Sequence, residues 1–297
     1  MKPLQRPDSS EWDFNSEKWN LWPWKHWMTI GIGVLCSEGK ERPDNLILAC
    51  DALGSFGDVN STASLHKLFS RHDARIYAVA AHDIGKAAEL VTKIANNVVA
   101  SKAETYGAIY DAICFSVHDY KSARFRYDVI SQTPLAPEKG WMEEAKKIGL
   151  LDKLLKKEWP KFSIECQLII GTFAEDGSSR LFWVEHIGRV HPVSLPGFTA
   201  IGSGAGGAMF SLCQRDQTMA MGLRRSAYHT YEAKIMAERS PHVGKADIQM
   251  LIANRERADL LTEQEPERSG CPVSLTELKE WIEKYGPKKT DDLELIA

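Results

Sequence analysis

No two cysteines stand in C-x-x-C spacing, and no two histidines stand in H-x-x-x-H or H-E-x-x-H spacing, so neither a redox dithiol nor a zinc site has a starting point. No cofactor and no metal are expected. The six cysteines (Cys36, Cys50, Cys114, Cys166, Cys213 and Cys271) lie mostly in apolar runs and read as buried free thiols of a reducing compartment. Blocks of like charge are missing too. Thirty-seven basic against forty acidic side chains leave a net charge of −3, so neither nucleic acid nor an anionic membrane surface is an expected partner. No signal peptide is expected in residues 1–28, because Asp8, Glu11, Asp13 and Glu17 interrupt their apolar residues, and nothing later approaches a membrane span. The expected location is the cytoplasm.

What is present suits a globular protein, since 43% hydrophobic residues over 297 positions can build a sizeable core. Residues 1–28 are set apart: "WDFNSEKWNLWPWKHW" holds five of the nine tryptophans without a helical or strand period. This leader is expected to lie outside the folded core. From Thr29 the pattern changes, with Ile30, Ile32, Val34 and Cys36 on one face of a strand and Thr29, Gly31, Gly33 and Leu35 on the other. Apolar runs at "LILAC" (46–50) and "RIYAVAA" (75–81) predict two more strands.

Two helices follow, one with Ala87, Leu90, Val91, Ile94 and Val98 on a face, the next with Ile109, Ile113, Ser116, Val117 and Tyr120. Prolines bracket a charged amphipathic segment near 134–161, which predicts an inserted surface helix. "SIECQLIIGTF" and "RLFWVEHIG" around the turn "AEDGSS" predict a hairpin. A helical region follows with Leu223, Ala227, Tyr231 and Ile235, and "DIQMLIA" (247–253) closes the sheet. A charged tail over 254–297 carries one appended helix, with Ser274 and Glu277 as a capping box and Gly286 as its stop. The order of strands, two helices, strands, two helices and a strand does not fit a doubly wound sheet. Two helical layers enclosing two sheets fit it better.

Four residues draw attention as chemistry. "IGSGAGGA" contains G-x-G-x-x-G at Gly202, Gly204 and Gly207, but a dinucleotide fold needs a second parallel strand ending in an acid about twenty residues on, where "AMGLRRSAYHTYEAK" reads as helix. The glycines instead suit close approach of backbone to a substrate or another strand. Ser203, taken alone, reads as a helix cap, and Asp51 and Lys67 read as solvated surface charges. Together with Thr29 they share a setting, each at the edge of a strand or turn beside glycine-rich backbone.

The ordered stretches "TIGIGVLC", "LILACDA", "HKLF", "IYAVAAHDIGKAAEL", "CQLIIGTF" and "AIGSGAGGA" resemble the successive landmarks of proteasome β-type subunits, an N-terminal nucleophile (Ntn) hydrolase family. The resemblance spans residues 29–253. It implies an α+β fold of the four-layer αββα sandwich type, with Thr29 as nucleophile, Asp51 as the acid ending the second strand, Lys67 as the lysine sixteen residues beyond it, and Ser203 as the serine of the G-S-G turn. It also implies a homo-oligomeric ring acting on a peptide or amide substrate. Departures accompany it: Ala81 or His82 replaces the oxyanion-hole glycine, and Ser240 and Val243 stand where the family has an aspartate and a serine.

The implied chemistry is that of a threonine hydroxyl activated by its own α-amino group, whose pKa of roughly 7.7–8.0 lets it accept and return a proton. Lys67 would lower that pKa and Asp51 would orient Lys67. Replacing Lys67 is expected to abolish turnover and spare the fold. A peptide nitrogen is not basic, so the chemistry requires the chain to start at Thr29. Met28 followed by a small residue suits removal by methionine aminopeptidase, which makes Met28 the expected initiator and residues 1–28 an upstream extension, with a processed propeptide as the alternative. A catalytically silent subunit with an assembly or partner-binding role, and an Ntn amidase acting on small molecules, are the competing expectations.

Overall fold

A computed structural model describes residues 29–37, 42–51, 54–56, 59–61, 67–133, 135, 140–239 and 247–286. The leader, Ser240 and Val243 lie outside the described residues.

The chain is a mixed α+β protein. Strands β1 (Gly31–Cys36) and β2 (Asn45–Asp51) form an antiparallel pair, and a short hairpin, β3 (Gly54–Phe56) with β4 (Val59–Ser61), occupies the Gly/Ser/Asp-rich stretch that sequence patterning leaves blank. Then come β5 (Leu68–Arg71), β6 (Ile76–His82) and two helices, α1 (Ile84–Ser101) and α2 (Tyr106–Asp128). Residues Trp141–Lys147 form α3, and Leu151–Lys153 form α4, which runs on through a π turn and a 3-10 turn to Lys161. β7 (Cys166–Phe173), β8 (Ser179–Val184), β9 (Val190–Pro192) and β10 (Phe198–Ile201) lead to α5 (Ala205–Gln214) and α6 (Leu223–Ala237). β11 (Ile248–Ala253), β12 (Ala258–Thr262) and α7 (Leu275–Tyr285) complete the described chain.

Among the described residues there are two five-stranded sheets, ordered β10-β1-β2-β11-β12 and β5-β6-β7-β8-β9, and every pairing in them is antiparallel. The core explains why so many strand residues are apolar on both sides. In β1, Ile32, Val34 and Cys36 pack with Ala208 and Leu212 of α5, Ala227 and Tyr231 of α6 and Leu278 of α7, whereas Leu35 packs toward Val79 and Ile169 of the second sheet. The close approach of the sheets is set by small residues: a Cβ on Gly33 would lie 2.7 Å from Ile169 Cγ2, and one on Gly171 would lie 2.1 Å from Leu46 Cδ2. The other side of the second sheet packs on α1 and α2 through Ile76, Ala78, Leu168 and Ile170.

Helices α1 and α2 bury the faces their periodicity predicts, and each starts at a side-chain cap: Asp83 accepts from the Lys86 amide and Thr105 from the Ala108 amide. Three expectations need correction. The single inserted helix is instead a chain of short pieces, because Gly149 adopts a left-handed φ of 71° and ends α3, and their apolar residues form a small core of their own around Phe125, Ile130 and Leu154. β11 is not the sheet edge, since β12 pairs beyond it. Of the six thiols, all free, Cys213 is exposed rather than buried, because its position on α5 faces outward.

No helix among the described residues is long and apolar enough to cross a membrane.

Candidate active site

The start of β1 is fixed by a carboxylate. Asp51 is the last residue of β2, and its Oδ1 accepts from the Ile30 amide at 2.9 Å while its Oδ2 accepts from Lys67 Nζ at 2.9 Å. Asp51 is 0% exposed and Lys67 1%, so the pair is not the solvated surface charge that each residue suggests in isolation. Burial pushes the Asp51 carboxyl above its ordinary range, opposed by the Lys67 ammonium and by the Ile30 amide. Lys67 directly precedes β5 of the second sheet, and its carbonyl accepts from the Ala80 amide of β6 at 3.0 Å. The ion pair therefore ties one sheet to the other at the end of β2.

Thr29 sits one residue before this tether and is itself buried. The turn after β10 wraps its backbone. Its nitrogen donates to Ser203 Oγ at 3.2 Å, and its carbonyl accepts from the Gly204 amide at 3.3 Å and from Ser203 Oγ at 3.3 Å. Gly202 holds a left-handed φ of 89°, and a Cβ there would lie 2.3 Å from the Thr29 carbonyl oxygen, so only glycine fits this approach. Ser203 is thus not the cap of α5, whose N-cap is Gly204 without a side-chain hydrogen bond. Nor does the G-x-G-x-x-G run follow a parallel strand: β10 pairs antiparallel with β1.

Thr29 Oγ1 is one of five buried side-chain polar atoms with no hydrogen-bond partner among the described residues, a state that carries a free-energy cost of about 1–3 kcal/mol. Thr29, Asp51, Lys67 and Ser203 are thereby gathered at one end of the sheet interface, although Lys67 Nζ is bonded to Asp51 and not to Oγ1. In the 297-residue chain the Thr29 nitrogen is a peptide amide. Ala81, at the neighbouring strand end, is buried opposite Gln167.

Other nucleophiles near the site are quiet. The Cys50 thiol is pushed far up by burial and by the Asp51 charge, and it donates only to Gln249 Oε1 at 3.7 Å. Among the described residues, no group of three or more histidine, cysteine, aspartate or glutamate side chains is gathered to hold a metal ion.

Sequence reasoning missed Gln167, whose Oε1 accepts from the Gly202 amide at 3.3 Å. The signal was available as a lone amide in the otherwise apolar strand "CQLIIGTF". No protein-family model matches the chain, and no curated protein is found to be similar to it.

Proposed function

We propose that the protein is a proteasome-like threonine hydrolase of the Ntn type, cleaving peptide or amide bonds with Thr29 as nucleophile within a four-layer αββα sandwich. The observation that carries this reading is the buried Thr29 hydroxyl, without a partner among the described residues, beside the buried Lys67–Asp51 pair, with Ser203 on the threonine nitrogen. The packing of helices on the outer faces of two facing sheets supports the same fold reading.

In a chain starting at Thr29, the freed α-amine takes the Oγ1 proton as Oγ1 attacks the substrate carbonyl carbon. The negative charge moves to the carbonyl oxygen, where backbone amides near Ala81 or in the Gly202–Gly204 turn stabilise it, each donor contributing about 2.7–4 kcal/mol in comparable sites. Collapse breaks the C–N bond, and the ammonium returns the proton to the leaving nitrogen. Water, deprotonated by the same amine, then hydrolyses the ester and restores the hydroxyl. Lys67 acts as a fixed positive charge that keeps the amine neutral, and Ser203 orients it. A cytoplasmic homo-oligomeric ring belongs to the same reading.

A catalytically silent subunit is the second reading, favoured by the absence, among the described residues, of a Lys67–Oγ1 hydrogen bond. Intact mass spectrometry of protein from its native source, combined with treatment by an epoxyketone or β-lactone, separates the two. An adduct on Thr29 in a chain that begins there supports the hydrolase. A native chain that retains Met28, or one that begins at Thr29 and takes no adduct, supports the silent subunit.

A further inference from the structure

The interface between the two sheets is apolar through its middle, where Leu46, Leu48, Val79, Ile169 and Leu181 meet. Strand β7 crosses it with a regular alternation: Cys166, Leu168 and Ile170 face the α1–α2 layer, and Ile169 and Phe173 face the first sheet. Gln167 falls in the second set, and its hydrogen bond runs the same way. Its Oε1 accepts from the Gly202 amide at 3.3 Å, across the interface. A backbone N–H needs the oxygen end of the carboxamide, so the chemistry of the partner fixes Gln167 as the acceptor.

Lys67 reaches the same end of the interface from the other side of β6. Its carbonyl accepts from the Ala80 amide, and Ala81, the next residue, stands opposite Gln167 in the register of β6 with β7. Lys67 and Gln167 thus flank β6 at one level, and each crosses to the first sheet, Lys67 to Asp51 and Gln167 to Gly202. Both ties end on the backbone around Thr29. Asp51 accepts from the Ile30 amide, and Gly202 lies so close to Thr29 that a Cβ on it would be 2.3 Å from the threonine carbonyl oxygen. The register of β10 with β1 stops at Ile201, opposite Gly31, so beyond it Gln167 supplies Gly202 with the acceptor that a strand neighbour supplies within a sheet. Ser203 and Gly204, the next two residues, carry the hydrogen bonds to the Thr29 nitrogen and carbonyl.

We infer that Gln167 is a positioning residue of the Thr29 site: it ties the Gly202–Gly204 turn, and through the turn the Thr29 backbone, to the sheet that carries Lys67. The separation of the threonine nitrogen from the lysine charge is then set by two ties between the sheets, one on each side of β6. This role rests on the hydrolase reading for its purpose, but not for its geometry.

The test compares the full 297-residue chain with Gln167→Leu, which keeps the bulk and removes the acceptor, and Gln167→Glu, which keeps the acceptor. Amide hydrogen exchange is followed at Gly202 and Gly204, with Phe182 of β8 as a reference on the helix-facing side. Gln167→Leu should speed exchange at Gly202 and Gly204 about tenfold, the effect of losing one hydrogen bond, and leave Phe182 within about twofold of the parent. Gln167→Glu should hold both turn amides within about threefold. Unchanged exchange at Gly202 in Gln167→Leu overturns the inference, as does glutamate protecting no better than leucine. Equal acceleration at Phe182 also overturns it, since that marks a general loss of stability. Exchange needs no turnover, so a silent Thr29 leaves this result standing. In protein that begins at Thr29 and takes the epoxyketone, Gln167→Leu should lower the limiting rate of adduct formation about tenfold with the half-saturating concentration within about twofold of the parent, and Gln167→Glu should restore the rate to within about threefold. A change confined to the half-saturating concentration would make Gln167 a contact of the ligand and overturn the positioning role.

Discussion

Two buried carboxylates in this protein are held by cations in opposite ways. Asp51 and its partner Lys67 are both withdrawn from water, with side chains 0% and 2% exposed, and the neighbouring Thr29 hydroxyl has no partner among the described residues. Glu232 on α6 is equally buried at 3%, but Arg215 grips both its oxygens at 2.6 Å from a head that is 40% exposed. Around the second pair, His229 Nδ1 meets Gln217 Oε1 at 2.8 Å, and Gln217 Nε2 donates to Ser226 Oγ at 3.0 Å and to the Thr218 carbonyl, while the buried Tyr228 Oη, whose ring faces Arg215, has no partner among the described residues. A buried polar cluster is therefore not by itself a sign of a site. What distinguishes the Thr29 end is the full desolvation of both charges of the pair, since an unpartnered hydroxyl occurs at each cluster.

The contrast is broken most severely by removing the cation from each pair. Lys67→Ala strands a carboxylate with no access to water and should cost about 3–5 kcal/mol in urea denaturation, besides abolishing Thr29 labelling. Burial thus changes the expectation that this substitution spares the fold. Asp51→Asn added to Lys67→Ala should recover most of the loss in stability and none of the labelling. If Lys67→Ala labels Thr29 at the parent rate, the roles given to the pair are wrong.

Acid should act on the α5–α6 cluster. Burial and Arg225 push His229 down to about 4, below its ordinary 6.5. A histidine with a depressed folded pKa contributes stability above pH 6.5 that is lost as the pH falls toward 4, because the unfolded chain binds the proton first. Denaturation midpoints should report a loss of about 2–3 kcal/mol across that window, and His229→Gln should flatten it.

Gly202→Ala tests the tight side of the comparison, combining a left-handed φ with a contact that cannot open without moving Thr29. A cost of about 2–3 kcal/mol and loss of the Thr29 adduct are expected. Arg215→Gln, at the second pair, should cost about 1–2 kcal/mol because water reaches the vacated head, and it should leave adduct formation on Thr29 within about twofold of the parent. The smallest effect is expected at Gly206, in the first turn of α5, where an added Cβ meets nothing within 4 Å. Gly206→Ala should stabilise by about 0.5 kcal/mol in thermal denaturation.

Much of the secondary structure was legible because burial imposes a local period. The faces of α1 and α2, the β7–β8 hairpin and the Ser274 cap of α7 follow from residues three, four or two apart. The short hairpin β3–β4 and the outer strand β12 were not legible, because three to five residues are too few to carry a period. The broken insertion was misread as one helix because its charge pattern is helical on both sides of Gly149.

For the site, the residue types at 29, 51, 67 and 203 could be named from ordered stretches of sequence, but their individual surroundings pointed to bland roles. Strand and helix periods, the small residues between the sheets and the glycine at 202 were determined by the sequence itself, since each depends on neighbours in the chain or on an intrinsic conformational limit. Burial of the Asp51–Lys67 pair, the contact of Thr29 with a serine 174 positions away, and the hydrogen bond of the Gly202 amide to Gln167 were decided only by the tertiary structure. Those contacts depend on strand order and on which face of each sheet meets the other, and through-space desolvation leaves no periodic mark on the residues that undergo it.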